Sequence, residues 1–229
     1  MYQSEFDRFA DEYRAQHAAN IKASGEDPEY FARCKAEDAR DFSISAPPQL
    51  PILDFGTGIG NSLPFLRAAF PNLDLVGIDV SQRSLEIAHA RFPNLAELRL
   101  FDGARIPYDT GAFGMVFAAC VFHHIDHGEH LEKLSEIYRV LAPGGWLILY
   151  EHNPWNPLTT HMVKNCPFDE NARLISSRLM KGRVLQSGFT QVRLRYRVFF
   201  PAVLSFLRPL EPALCWLPMG AQYCLSCRK

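Results

Sequence analysis

The residues best suited to chemistry in this chain are an acid and three alternating glycines. An apolar run over residues 50–55 carries Asp54 near its end and leads into Gly56, Gly58 and Gly60, after which a helical pattern begins. Glycine lets the backbone turn sharply and pass close to a ligand. A helix that starts after such a turn presents unpaired N–H groups. Strand, glycine turn and helix together predict a nucleotide-binding βα unit.

The glycine spacing separates two kinds of ligand. A dinucleotide fingerprint is G-x-G-x-x-G, but its third glycine position here holds Asn61. Asp54 would repel a pyrophosphate and suits a ligand with a cationic end. The pattern D-x-G-x-G-x-G resembles motif I of the class I S-adenosylmethionine-dependent methyltransferases. The resemblance implies S-adenosylmethionine as cofactor, S-adenosylhomocysteine as product, and a cofactor site that includes Asp54, Gly56, Thr57, Gly58 and Gly60.

Two further acids follow predicted strands. Asp79 ends the apolar run 73–80, near the spacing at which an acid binds ribose hydroxyls in methyltransferases and dehydrogenases alike. Asp102 precedes a glycine, and a simple turn is the alternative. Its segment resembles the family segment that holds the adenine. We therefore predict cofactor contacts from Asp79, Val80, Asp102, Gly103, Ala104 and Cys120.

A histidine pair, His123 and His124, follows the all-apolar run 114–120. Such a run is typical of a parallel strand buried on both faces, and open α/β sheets bind ligands at the carboxyl ends of their strands. The segment resembles the motif IV region of many methyltransferases, where a His-His pair is common. Imidazole titrates near neutral pH, so either side chain can act as a general base. We expect one histidine, His123, to face the pocket and the other to be structural.

The proline-rich loop over residues 151–159 lies at the same predicted edge of the sheet. In the family this loop often meets the acceptor, and rigid polar loops frequently carry function. We assign a substrate role to His152 and Trp155. A merely stiff connection is the alternative.

Strands and helices alternate from residue 50 to residue 151, which requires a parallel sheet with helices on both faces. The run L-x-P-G-G-x-L over residues 141–147 is similar to a family signature, and it ends the preceding helix. A strand over 190–200 and a last strand over 221–228 match the family's usual end. We predict an α/β, Rossmann-like three-layer αβα sandwich. Its seven-stranded sheet is mostly parallel, with the last strand antiparallel beside strand five.

We predict a single domain over residues 1–229 with three parts. They are an N-terminal helical cap (1–45), a cofactor-binding core (46–152) and a substrate-side loop with sheet completion (153–229). Asp27 and Pro28 predict a helix start in the cap. The pattern F-D-x-x-A-x-x-Y over residues 6–13 is similar to a family segment above the pocket. Tyr13 is accordingly either a cofactor contact or a packing residue.

Net charge and cysteine content limit the kinds of partner that we expect for this chain. A formal net charge of −1 gives no reason to expect nucleic acid, and alternating Arg193, Arg195 and Arg197 fit one solvated strand face. Six scattered cysteines without a second C-x-x-C pair or a histidine partner predict reduced thiols and no metal site. With no secretory signal in the sequence, we expect a cytoplasmic protein.

The apolar segment 198–219 is interrupted by four prolines, which makes it a poor transmembrane helix. Four interpretations remain: a lid over an apolar substrate, a dimer surface, a peripheral membrane contact, or ordinary packing on the sheet.

The sequence therefore predicts methyl transfer from S-adenosylmethionine to a small-molecule acceptor by direct in-line displacement. A non-catalytic S-adenosylmethionine-binding or scaffold protein is one alternative. An NAD(P)-dependent oxidoreductase is another, although the glycine spacing and Asp54 oppose it.

Overall fold

The computed structural model describes residues 25–166 and 171–229, and within these ranges seven strands form one sheet. The strands are β1 (Ile52–Phe55), β2 (Leu75–Asp79), β3 (Glu97–Leu100), β4 (Phe113–Ala119), β5 (Leu141–His152), β6 (Thr190–Arg197) and β7 (Gln222–Arg228). Their order is β3-β2-β1-β4-β5-β7-β6. The pairs from β3 to β5 are parallel, and β7 is antiparallel to both β5 and β6. The predicted sheet is confirmed, including the antiparallel last strand beside strand five.

Helices connect and cover these strands. They are α1 (Pro28–Ser43), α2 (Leu63–Ala69), α3 (Gln82–Arg91), α4 (His130–Val140), α5 (Pro157–Lys164), α6 (Ser177–Gln186) and α7 (Glu211–Leu214), with 3-10 helices at Phe122–His124 and Ala202–Leu210. Short polar side chains begin four of them, because each accepts an otherwise unpaired N–H of the first turn. The capping residues are Asp27 for α1, Ser81 for α3, Asn156 for α5 and Ser176 for α6. The Asp27 cap confirms the helix start that the sequence predicts.

The L-x-P-G-G-x-L run begins where α4 ends. The helix ends at Val140, and β5 begins at once with Leu141, so the run lies within the strand. Leu141 pairs with Phe113, and the next pair is Trp146 with Met115. The residues between Leu141 and Trp146 therefore form an irregularity within β5, because proline lacks the N–H that a regular ladder needs.

Two apolar layers lie on opposite faces of the sheet. One packs against α4 and α6, and the other against α1 and α2. Cys227 belongs to the first layer and Cys224 to the second, so these two side chains point to opposite faces of the sheet. Helices on both faces of a mostly parallel sheet make the predicted three-layer sandwich.

Helix α1 is fixed to the far edge of the sheet through charged groups. Arg197 Nε donates to the largely buried Asp38 carboxylate at 2.7 Å, and the Arg195 guanidinium lies 4.6 Å from the centre of the Phe42 ring. The expectation that this arginine face of β6 is solvated is therefore wrong for Arg195 and Arg197. Residues 1–24, including Tyr13, lie outside the described residues.

The apolar segment 198–219 divides into two parts. Residues 198–201 border the central cavity, whereas the following 3-10 helix has no buried residue. Phe206 and Trp216 are more than 70% exposed. In the part of the chain that the structure describes, no helix is long and apolar enough to cross a membrane.

Candidate active site

One cavity of about 270 Å³ opens above the carboxyl ends of β1, β2, β4 and β5. After β1 the chain adds β2 and β3 on one side of the sheet, and from β4 it adds strands on the other side. Open α/β sheets bind ligands at the point between two strands where this direction reverses. The cavity lining contains ten residues predicted for the site: Asp54, Gly56, Thr57, Gly58, Asp79, Val80, Cys120, His123, His124 and His152.

The carboxylate of Asp54 lies at the floor of this cavity. It is 3% exposed, and Thr57 Oγ1 donates to its Oδ2 at 2.8 Å. Burial, with a smaller contribution from the nearby Asp79, raises the pKa of Asp54 to about 7. An acid held this way is stabilised by a cationic ligand group, since a buried charge is costly without a partner.

Gly56 and Gly58 lack a side chain for different structural reasons. Gly56 has a φ of +73°, and a Cβ there would lie 2.6 Å from Val121 Cγ2, so packing excludes a side chain. Gly58 has a φ of +53°, but a Cβ there would meet no atom within 4 Å. It faces the open cavity, so a side chain at Gly58 would occupy ligand space.

Asp79 links the glycine turn to the end of β2. Its Oδ2 accepts from Gly58 N at 2.8 Å, and its Oδ1 accepts from Ser81 N at 2.9 Å. A carboxylate can accept several hydrogen bonds, so these two backbone contacts do not by themselves use its full acceptor capacity. The position is the one predicted for ribose binding.

Several predicted residues lie outside the cavity lining. Gly60 packs towards Leu63 and Ala88, and Trp155 is 70% exposed. Asp102 is exposed, and its Oδ1 accepts from the backbone N–H groups of residues 104 and 105 in a turn. The cavity lining thus lacks five predicted site residues, whose roles stay predictions: Gly60, Asp102, Gly103, Ala104 and Trp155.

Both histidines of the predicted pair border the cavity, in contrast to the expectation that one alone would. They lie on the 3-10 helix Phe122–His124, with ring centroids 4.1 Å apart. His123 is almost fully buried, and its Nδ1 lies 2.6 Å from Glu151 Oε2. The other oxygen of Glu151 accepts from the backbone N–H groups of Val121 and Phe122.

Glu151 has no role in the sequence-based site. Burial raises the pKa of its carboxyl, but His123, His152 and the backbone N–H of Phe122 outweigh burial and lower the pKa. Glu151 is thus held as a carboxylate that orients the His123 ring. The sequence does contain one signal that could have identified Glu151. Like Asp54 and Asp79, it is an acid near the carboxyl end of a buried apolar strand.

A second group of polar side chains surrounds Cys120, which follows β4. Lys35 Nζ donates to its Sγ at 3.3 Å and Gln222 Nε2 donates at 3.6 Å. Burial raises the pKa of the Cys120 thiol, but the neighbouring Lys35 and His152 outweigh it and lower the pKa to about 7. Neither Lys35 nor Gln222 is part of the sequence-based site.

Within residues 25–166 and 171–229, no group of three or more His, Cys, Asp or Glu side chains is arranged to hold a metal ion.

Comparison with known proteins places this architecture in a class. Residues 52–145 match a family described as a methyltransferase domain. The matched region runs from β1 into β5 and contains the glycine turn, Asp79 and the histidine pair. It covers the half of the sheet where open α/β folds bind a nucleotide.

Relatives and solved structures agree with that class. The chain is 34% identical over 119 residues to a demethylmenaquinone methyltransferase of Thermus thermophilus, and 29% identical over 181 residues to a trans-aconitate 2-methyltransferase of Sinorhizobium fredii. These matches cover 51% and 78% of this chain, and the chain spans 53% and 63% of the relatives' own length. A Thermotoga maritima protein described as an S-adenosylmethionine-dependent methyltransferase, possibly a histamine N-methyltransferase, shares the fold. Its TM-score is 0.71 at 19% identity, with 99% of each chain covered.

The fold and the glycine turn define a Rossmann-like methyltransferase domain. Residues 52–145 belong to a methyltransferase-domain family, and the relatives and the shared fold support a class I S-adenosylmethionine-dependent methyltransferase. The cofactor of this family fits the residues present, because Gly58 borders ligand space that a side chain would fill, and a buried acid faces the same cavity.

Proposed function

We propose that the chain transfers a methyl group from S-adenosylmethionine to a small-molecule acceptor by direct in-line displacement. The observation that carries this proposal is the His123–Glu151 pair, which shares one cavity with the residues suited to the cofactor. When bound, the cofactor supplies an electrophilic methyl group on a sulfonium.

Three residues would hold the cofactor. Gly58 leaves room for it, and Asp79 accepts hydrogen bonds from ribose hydroxyls. Asp54 balances the cationic amino end. Asp54 and Asp79 lie near the carboxyl ends of the neighbouring strands β1 and β2, so both carboxylates lie on this side of the cavity.

His123 is the proposed proton acceptor. With Nδ1 donating to the Glu151 carboxylate, the neutral ring has Nε2 as its basic nitrogen. Nε2 would accept the O–H or N–H proton of the acceptor while the acceptor's heavy atom bonds to the methyl carbon. The bond between that carbon and the sulfonium sulfur would break, with S-adenosylhomocysteine as the leaving group. Holding the two reacting atoms in line lowers the activation free energy by up to ~7–11 kcal/mol in favourable systems.

The acceptor is proposed to be a small molecule for two reasons. The cavity is bordered by apolar side chains of α1, α5 and residues 198–201, which suit a compact ligand. The relatives are named for small acceptors, demethylmenaquinone and trans-aconitate. These acceptors differ from each other, so the names support a substrate size and not an identity.

Calorimetry separates this proposal from its rivals. Titration with S-adenosylhomocysteine should give one site, whereas NADH should give no heat of binding. Binding of NADH alone would favour an oxidoreductase. Production of S-adenosylhomocysteine when small-molecule fractions of a cell extract are added should exceed the rate without them, and equal rates across all fractions would favour a non-catalytic binding protein.

A further inference from the structure

The cavity has an electrostatically distinct half above β4, β5 and β7. Lys35 and Gln222 both donate to the Cys120 sulfur. His152 is paired with Gln222 across the β5–β7 ladder, and its ring centroid lies 5.1 Å from that of His123. Cationic and hydrogen-bonding side chains therefore converge at this end, on the opposite side of β1 from β2 and Asp79.

Among the described residues that border the cavity, Lys35 is the one that carries an ammonium group. In the described ranges, its only hydrogen bond goes to the Cys120 sulfur, and its Nζ also lies 5.7 Å from the centre of the Tyr150 ring. Glu151 on this half is fully buried and already accepts three hydrogen bonds. The charge of Lys35 acts on the buried Asp54, but among the described residues no ion pair joins the two side chains. A partly buried ammonium without a carboxylate partner favours an anion nearby.

The wall that faces this polar group is apolar. Phe31 of α1 borders the cavity on one side, Leu158 and Met162 of α5 on another, and Phe199 and Phe200 on a third. Such a wall stabilises a bound ligand by removing its apolar surface from water. It also lowers the local dielectric, which strengthens an ion pair at Lys35.

We infer that the acceptor is an apolar molecule that carries an anionic group, which lies against Lys35 and His152. This inference rests on the proposed methyl transfer and adds the chemical class of its substrate. The apolar body of the acceptor packs against the aromatic and aliphatic wall. The same ammonium chemistry would also suit the α-carboxylate of the cofactor, so an experiment must distinguish the two anions.

Paired probes make that distinction by calorimetry on protein saturated with S-adenosylhomocysteine. The probes are trans-cinnamate against trans-cinnamamide and octanoate against octanamide, which differ only in the charged group. Wild-type protein should bind each acid about tenfold or more tightly than its amide, since a hydrogen bond to a charged group is worth that much. Lys35→Gln should remove the preference and leave the affinity for S-adenosylhomocysteine unchanged. Lys35→Arg should retain it.

A matched control is Lys164→Gln, which removes an exposed ammonium at the end of α5 and should change neither affinity. Equal binding of acid and amide to the wild-type protein, or no binding of either acid at about 1 mM, would overturn the inference. A Lys35→Gln protein that keeps the acid preference but loses affinity for S-adenosylhomocysteine would also overturn it, by assigning Lys35 to the cofactor. If wild-type protein does not bind S-adenosylhomocysteine at all, the proposed function itself fails.

Discussion

Glu151 Oε2 lies 2.6 Å from His123 Nδ1, and each side chain is about 1% exposed. Glu151→Gln keeps the size of the side chain but can place an amide N–H group against Nδ1. The ring would then carry its proton on Nε2, the nitrogen proposed to accept the acceptor's proton. We expect the rate of methyl transfer to fall about 10²-fold or more, with unchanged affinity for S-adenosylhomocysteine.

The control for this prediction is the same substitution in a His123→Ala background. If Glu151 acts through His123, Glu151→Gln should change the rate little there, because the residues work as a unit. Equal losses in both backgrounds, measured as initial rates of S-adenosylhomocysteine formation, would show that Glu151 supports only the fold.

The Glu151–His123 pair also shows where prediction from sequence stops. Apolar runs and glycine turns are local signals, and they predict a parallel sheet and place Asp54, Gly58 and Asp79 in the cavity. The antiparallel last strand beside strand five comes from the family resemblance. The contacts of Glu151, Lys35 and Gln222 join residues 28 to 102 positions apart. Such contacts depend on which strand ends become neighbours, and no local pattern encodes them. The alternation in β6 predicts its two faces, but it does not reveal that α1 covers Arg197.

Gly58→Val should abolish cofactor binding without unfolding the protein. The isopropyl group would enter the open cavity, and the left-handed backbone would add a strain of roughly 1–2 kcal/mol. Gly182→Val is the matched control, because a Cβ there also meets no atom within 4 Å and Gly182 lies in helix α6. Calorimetry with S-adenosylhomocysteine should give wild-type affinity for the control only. A folded Gly58→Val protein with normal affinity would remove this turn from the site.

Asp79→Ala should weaken cofactor binding about tenfold or more, because ribose hydroxyls lose a charged acceptor and the glycine turn loses its hydrogen bond to the Asp79 carboxylate. Asp74→Ala, an exposed acid just before the same strand, provides the comparison. An unchanged dissociation constant for Asp79→Ala would exclude Asp79 from the site.

Cofactor affinity should depend on pH through Asp54. Burial raises the pKa of this acid from 3.8 to about 7, so the free protein retains a proton there in mildly acidic solution. The cationic end of the cofactor pairs with the ionised form, so affinity should increase about 30-fold between about pH 5.5 and pH 8. Asp54→Asn should bind more weakly, with an affinity that changes little over this range.

The same raised pKa has a consequence for stability. The Asp54 contribution to the free energy of unfolding is fully present below pH 3.8 and is lost as pH rises through about 7, because the unfolded chain releases the proton more readily. Denaturant titrations without cofactor should therefore show a smaller loss of stability across this range for Asp54→Asn than for the wild-type protein. A steeper loss in the variant would contradict the assignment.

Transfer of a deuterated methyl group tests the central claim most directly. The protein is incubated with methyl-deuterated S-adenosylmethionine and a cell extract, and the small-molecule and macromolecular fractions are analysed by mass spectrometry. We predict a new compound in the small-molecule fraction that carries the intact deuterated methyl group and is strongly reduced with His123→Ala protein. Label confined to the macromolecular fraction, or no labelled compound although the protein binds S-adenosylhomocysteine, would contradict methyl transfer to a small molecule.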